Sequence, residues 1–88
     1  MSATTERLVD VRGTNAKIAD AIRWVIQRED LLQNWVGVAS GLGPDELSQR
    51  MTGKVPFDLD DVADIARALN MDMFGLLHLA DDVADDLA

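Results

Sequence analysis

The sequence predicts an all-α domain of five short helices. Apolar residues recur at steps of three and four along most of the chain, which is the spacing of one face of an α-helix. No segment shows the sustained apolar-polar alternation that marks a half-buried strand. Gly, Pro, Asn and Asp residues separate the periodic segments, at the places where helices begin and end.

Length and composition limit the classes of protein to consider. The chain has 88 residues, enough for one hydrophobic core and too few for two, and it contains no cysteine, which excludes disulfides and thiolate metal sites. No apolar run approaches the roughly 20 residues that span a bilayer, and residues 1–14 lack a signal-peptide pattern. We therefore expect a cytoplasmic protein that makes no membrane contact.

The first helix is predicted to begin at Thr14 or Asn15, because both residue types are good N-caps, and to end near residue 29. Residues 1–14 are expected to form an arm or a short extra helix. The predicted buried face of the first helix consists of Ile18, Ile22, Val25 and Ile26.

The second helix is predicted over about 31–40, with Asp30 as its cap and Gly41 as its stop. The third is predicted over about 44–52, because Pro44 suits the first position of a helix, and its inward residues are Leu47 and Met51. The predicted buried face of the second helix consists of Leu32, Trp35, Val36 and Ala39.

Two further helices follow the break at residues 53–56. Asp58 is a suitable cap for the fourth helix and Asn70 suits a left-handed end, while Asp72 can cap the fifth. The fourth helix should bury Leu59, Val62, Ala63, Ala66 and Leu69. The apolar face of the fifth helix comprises Leu76, Leu77, Ala80, Val83, Ala84 and Leu87, and residues 80–88 form an acidic tail or helix extension.

An ordered set of residues in the second to fifth helices has a spacing that is moderately specific. The set is Gln33, Val36, Gly37, Gly41, Leu42, Leu47, Ser48, Met51, Gly53, Lys54, Leu59, Ile65, Ala66, Ala68, Leu69, Leu76 and Leu77. It resembles the Cro-type (XRE) helix-turn-helix family of phage repressors, over roughly residues 15–77. The resemblance implies a lambda-repressor-like domain at residues 15–79.

The spacing also has a physical explanation of its own. A small residue, Gly37, stands where two crossing helices must approach closely, and Gly41 supplies the turn between them. Leu42 and Leu47 are expected to fill the corner. Such a corner leaves one flank of the third helix exposed.

In the family that flank enters the major groove of double-stranded DNA. The resemblance therefore places Gly43, Asp45, Glu46 and Gln49 against base edges. A glutamine can bond bidentately to adenine, and a carboxylate can accept a hydrogen bond from the amino group of cytosine.

The resemblance also implies contacts to the DNA backbone. Gln33 matches a residue that bonds a phosphate, and Gly53 and Lys54 match a loop that offers backbone N–H groups and a cation. Arg50 would hold the backbone too, with Arg12 or Lys17 as further candidates. Repressors of this type bind paired half-sites, so a homodimer is expected.

Two departures from the family pattern favour other interpretations. The third helix starts with Gly-Pro-Asp-Glu, and Asp45 and Glu46 can instead complement the helix dipole and cap free N–H groups. Gly37 replaces the usual alanine, and Trp35 stands where a polar residue is usual. An exposed tryptophan suits a protein interface.

The charge distribution supports an alternative function. Net charge is −8, and the whole deficit lies in residues 58–88, where nine aspartates accompany Arg67 alone. An acidic helix-turn-helix protein could bind a protein with a basic surface, as an antirepressor or an inhibitor of a nucleic-acid enzyme. The candidate residues for a dimer or partner interface are Trp35, Leu76, Ala80, Val83 and Leu87.

Catalytic and metal-binding functions are not indicated. His78 has no second histidine or cysteine with which to form a metal site. Ser40 and Ser48 lack a histidine at a predictable distance, and no Gly-rich phosphate loop is present. We expect neither an enzyme nor a cofactor-binding protein.

Overall fold

Five helices and no strand occur over residues 2–87, which confirms the predicted all-α class. The structure is a computed structural model that describes the backbone of these residues and the side chains of residues 13–82. The helices are α1 (Ser2–Arg28), α2 (Gln33–Ser40), α3 (Pro44–Met51), α4 (Leu59–Ala68) and α5 (Met73–Leu87). None of them is long and apolar enough to cross a membrane within the described part of the chain.

All five helices contribute to one hydrophobic core. The most extensive packing joins α1 to α5, and α2 packs on both α3 and α4. Helix α3 contacts α1 as well as α2, so the α2–α3 pair is joined to the rest of the fold through α4 and α1. The core consists of Ile18, Ala19, Ala21, Ile22, Val25, Val36, Leu47, Met51, Val62, Ile65, Ala66, Leu69, Leu76 and Ala80.

Three helix starts agree with the predictions. Pro44 occupies the first turn of α3. The Asp58 carboxylate accepts the Asp61 N–H at 2.7 Å, and the Asp61 carboxylate accepts the Asp58 N–H at 3.2 Å, so α4 begins with a capping box. The Asp72 carboxylate accepts the Gly75 N–H at 2.7 Å at the start of α5.

The predicted start of the first helix was wrong. Helix α1 begins at Ser2, so Asn15 lies inside it rather than at its N-cap. The Asn15 side-chain oxygen instead accepts the Phe57 N–H at 2.8 Å. This bond ties the loop after α3 to α1.

Four helices are followed by a residue in the left-handed conformation. These residues are Asp30 (φ 56°), Gly41 (φ 87°), Gly53 (φ 86°) and Asn70 (φ 61°). After Asp30 the Leu31 N–H donates to the Ile26 carbonyl at 2.8 Å, which closes the last turn of α1. Asp30 thus ends α1 and is not the predicted cap of α2, whose N-cap is Leu32. The predicted left-handed conformation of Asn70 is confirmed.

Two predicted buried faces need correction. Helix α2 buries Val36, Gly37 and Ser40, while Leu32, Trp35 and Ala39 of the predicted face are exposed. Helix α4 buries Asp61, Val62, Ile65 and Ala66, while Leu59 is exposed. The exposed residues span the length of α2, from the N-cap Leu32 to Ala39, whereas in α4 the exposed residue is the first one, Leu59.

Candidate nucleic-acid interface

The α2–α3 corner depends on the absence of a side chain at Gly37. A Cβ at this position would lie 2.8 Å from the Pro44 Cα and 2.9 Å from the Gly43 carbonyl carbon and oxygen. Real Cβ atoms do not approach backbone so closely. The predicted close approach of α2 and α3 at Gly37 is therefore confirmed.

Hydrogen bonds lock the same corner. The Gly37 carbonyl accepts the Gly43 N–H at 2.8 Å and the Ser40 hydroxyl at 3.0 Å. Gly41 (φ 87°) and Gly43 (φ 95°) turn the chain between the helices with positive φ values that other residues rarely adopt. Leu47 is fully buried beneath the corner, as predicted.

The outer flank of α3 is polar and accessible. Asp45, Glu46 and Gln49 are exposed, whereas Leu47 and Met51 on the opposite side are buried. Gly43 is half-buried and precedes this flank as the N-cap of α3. The three exposed side chains can form hydrogen bonds to an outside partner, including base edges.

Asp45 and Glu46 do not cap α3 with their side chains. The N-cap residue is Gly43, and no side-chain hydrogen bond closes this helix start. Both carboxylates still lie in the first turn, where they complement the positive end of the helix dipole. Glu46 also lies 3.6 Å from the Arg50 guanidinium, one turn further along the helix.

Arg50 belongs to the interior of the domain. Its Nε donates to the Asp61 carboxylate at 2.7 Å, and the two side chains are only 13% and 8% exposed. A second nitrogen donates to the Glu46 carbonyl at 2.9 Å. The Asp61 hydrogen bond raises the pKa of Arg50 above its usual value. Arg50, which we predicted to hold DNA phosphates, is thus directed at α4 instead.

The loop after α3 also differs from the expectation. The Gly53 N–H donates to the Arg50 carbonyl at 3.2 Å, and the Lys54 N–H donates to the Gln49 carbonyl at 2.9 Å. Both N–H groups therefore close the last turn of α3 and are not available to a phosphate. The exposed Lys54 ammonium is what this loop offers to an anion.

Few cations remain free for a phosphate backbone. Among the described side chains, Lys54 alone of the lysines and arginines has no ion pair with a carboxylate. Lys17, a further candidate, lies 3.8 Å from Asp81. Arg12 lies outside the described side chains. The half-buried Gln33 is the first residue of α2, and the N-cap residue Leu32 makes no side-chain hydrogen bond to the first N–H groups of this helix.

The predicted interface residues separate into two groups. Leu76 and Ala80 are buried in the core, because α5 turns them toward its own chain, and they cannot contact a second molecule. Val83 and Leu87 lie outside the described side chains. Trp35 is exposed, and the structure adds Val38, a neighbour that the sequence reasoning missed.

We compared the chain with family models, with curated proteins and with solved structures, and none of them matched. The resemblance to phage repressors therefore stays a prediction from the residues named above. The geometry of the α2–α3 corner has to support a function on its own.

Proposed function

We propose that this chain is a sequence-specific DNA-binding regulator of phage-repressor type, which acts as a homodimer on cytoplasmic DNA. The observation that supports it best is the close approach of the α2 and α3 backbones at Gly37, where a side-chain Cβ would lie only 2.8 Å from the Pro44 Cα. This contact fixes α3 against α2 while leaving the α3 flank exposed. A rigid helix with a polar flank is what major-groove reading requires.

Gln49 and Glu46 are the proposed base readers. The Gln49 amide can donate to N7 and accept from N6 of adenine, and the Glu46 carboxylate can accept from N4 of cytosine. Asp45 and Gly43 belong to the same surface that would face the major groove. Asp45 offers a second carboxylate acceptor, and Gly43 has no side chain that would keep the DNA at a distance. An acidic flank favours sites where cytosine amino groups face the protein.

The proposed phosphate contacts are few. Lys54 supplies a charge, and Gln33 with the uncapped N-terminus of α2 supplies neutral donors. Each neutralised phosphate contributes roughly −0.9 to the slope of log affinity against log salt. Because Lys54 is the main charged contact, we expect a slope of about −1 per protomer and a modest affinity.

A titration of labelled DNA tests the proposal. Fluorescence anisotropy with a duplex from upstream of the chain's own gene should show saturable binding at low salt. Gln49→Ala should weaken binding by about 5- to 100-fold, the value of one bidentate base contact, and should relax preference at one base pair. Gln27→Ala, also an exposed helical glutamine but on α1, should leave binding unchanged. Absence of binding at low salt, or equal effects of both variants, would remove the proposal.

The charge pattern favours a second candidate, a helix-turn-helix protein that binds a basic protein partner. Lys54 is the only cation without an ion pair among residues 13–82, while Asp60 and Asp82 are exposed carboxylates on α4 and α5. Such a surface attracts cations and repels phosphate.

The second candidate has its own test. A partner captured by the wild-type chain should still bind after Asp45→Ala plus Gln49→Ala, and should be lost when the C-terminal aspartates are replaced. The replaced residues are Asp81, Asp82, Asp85 and Asp86, each changed to Asn. Binding that survives the second change would count against an acidic contact surface.

A further inference from the structure

Helix α2 exposes an apolar face that its own chain leaves uncovered. Leu32 at the N-cap is 74% exposed, Trp35 is 49% exposed and Val38 is 66% exposed, and Ala39 is exposed beside them. Steps of three and four place these four residues, here named the α2 stripe, on one side of the helix. The opposite side carries the buried Val36 and Ser40. The helix therefore has apolar side chains on an exposed side as well as the apolar Val36 on the side that faces the core.

The α2 stripe lies in a segment without charge. Residues 31–44 contain no Asp, Glu, Lys or Arg, whereas the whole chain has 24 charged residues, 8 basic and 16 acidic. Two copies of a chain with net charge −8 repel each other over most approaches. That repulsion is smallest where the uncharged segments face each other. In that approach both copies also remove apolar surface from contact with water.

We propose that a second copy of this chain covers the α2 stripe, in a two-fold dimer. In such a dimer the same patch meets itself, so the patch must be free of net charge and able to pack on its own copy. The α2 stripe meets both requirements, with Trp35 as the large anchor that interfaces favour. The inference rests on the homodimer of the proposed function and assigns its contact surface. Its test contains no DNA, so a failure of the pairing is distinguishable from a failure of DNA binding.

The size of the α2 stripe sets the strength of the dimer. Three large side chains, each about half exposed or more, present roughly a few hundred Å² of apolar surface. A stable interface buries about 800 Å² on each partner. The dimer is therefore weak and concentration-dependent, in the micromolar range rather than the nanomolar range.

Salt distinguishes this dimer from an association driven by opposite charges. Added salt screens the repulsion between two chains of charge −8, while it leaves apolar burial intact. Self-association through the α2 stripe should become tighter between about 50 mM and 500 mM salt, across which the screening length falls severalfold. A dimer held by Lys54 and aspartates would become weaker.

Sedimentation equilibrium over a range of protein and salt concentrations tests the proposal. Val38→Asp places a charge in the stripe at an exposed position and should raise the dimer dissociation constant at least tenfold, with an unchanged helical circular dichroism spectrum. Phe74→Asp is the matched control, because Phe74 is an apolar residue of α5 that is 69% exposed and lies outside the α2 stripe. It should leave the dissociation constant within twofold of wild type.

Three results would overturn the proposal. The first is a monomer at every concentration and salt level, which would leave the α2 stripe to a different protein. The second is a dimer that withstands Val38→Asp and dissociates with Phe74→Asp. The third is a dimer that weakens as salt is added.

Discussion

Helices α2 and α3 have eight residues each and meet at one corner, yet they present opposite surfaces to their surroundings. Helix α3 buries Leu47 and Met51 and exposes Asp45, Glu46 and Gln49. Helix α2 buries Val36 and Ser40 but exposes the apolar α2 stripe. One corner can therefore offer a hydrogen-bonding surface and an apolar surface side by side. In our proposals the two helices serve different partners, DNA for α3 and a second copy of the chain for α2.

The largest expected effect follows from filling the space at Gly37. Gly37→Val should lower the free energy of unfolding by about 3 kcal/mol, since its side chain meets backbone that cannot move aside. The substitution would also displace the polar flank of α3 relative to the α2 stripe. Urea unfolding followed by circular dichroism measures the change.

Gly13→Val supplies the control for that substitution. A Cβ at Gly13 meets nothing within 4 Å, so valine there should alter the free energy of unfolding by less than about 0.5 kcal/mol. Equal losses in the two variants would show that the corner is not the sterically restricted site we describe.

The next effect concerns the ion pair that draws Arg50 away from the α3 flank. Arg50→Ala leaves the Asp61 carboxylate buried without its partner and should cost about 2 kcal/mol of unfolding free energy. Arg67→Ala is the matched control, because Arg67 pairs with Asp64 at 2.8 Å but is 70% exposed. It should cost less than about 0.5 kcal/mol. A small loss for Arg50→Ala would return Arg50 to the candidate phosphate contacts.

A smaller effect is expected at Lys54, the cation that follows α3, on the salt dependence of DNA binding. Lys54→Ala should reduce the salt slope of DNA binding by about 1, since one phosphate contact is lost. The free energy of unfolding should stay within about 0.5 kcal/mol, because Lys54 is exposed and has no ion pair.

Lys17→Ala provides the comparison on α1. Lys17 lies near Asp81, so its removal should leave the salt slope unchanged. If Lys17→Ala reduces the slope and Lys54→Ala does not, the DNA approaches α1 and the α3 flank is not the reading surface.

Much of the fold could be predicted because its determinants are local. The apolar spacing gave five helices, and Asp58, Asp72 and Pro44 identified helix starts through contacts within one turn. Asn15 and Asp30 misled the prediction, since the same residue types favour N-caps, left-handed helix ends and long-range hydrogen bonds. Which of these occurs depends on neighbours that are distant in sequence.

The site was less predictable for the same reason. Arg50 is indistinguishable from a phosphate-binding arginine until Asp61, eleven residues later, is placed beside it. Periodicity showed that α2 has apolar residues, but it could not decide which of two apolar sides faces the core. Only the packing of α2 on α3 and α4 separates the buried Val36 from the exposed Trp35.

We propose that α3 and α2 serve two different partners from one corner. Amide chemical-shift mapping of the isotope-labelled chain tests this proposal in two separate experiments. In the first, the chain is titrated with DNA from its own upstream region. In the second, the free chain is diluted in the absence of DNA. We predict that DNA shifts the amides of Asp45, Glu46, Gln49 and Lys54, and that dilution shifts those of Trp35 and Val38. DNA-induced shifts confined to α4 and α5, or no response of Trp35 and Val38 to dilution at high salt, would contradict the account.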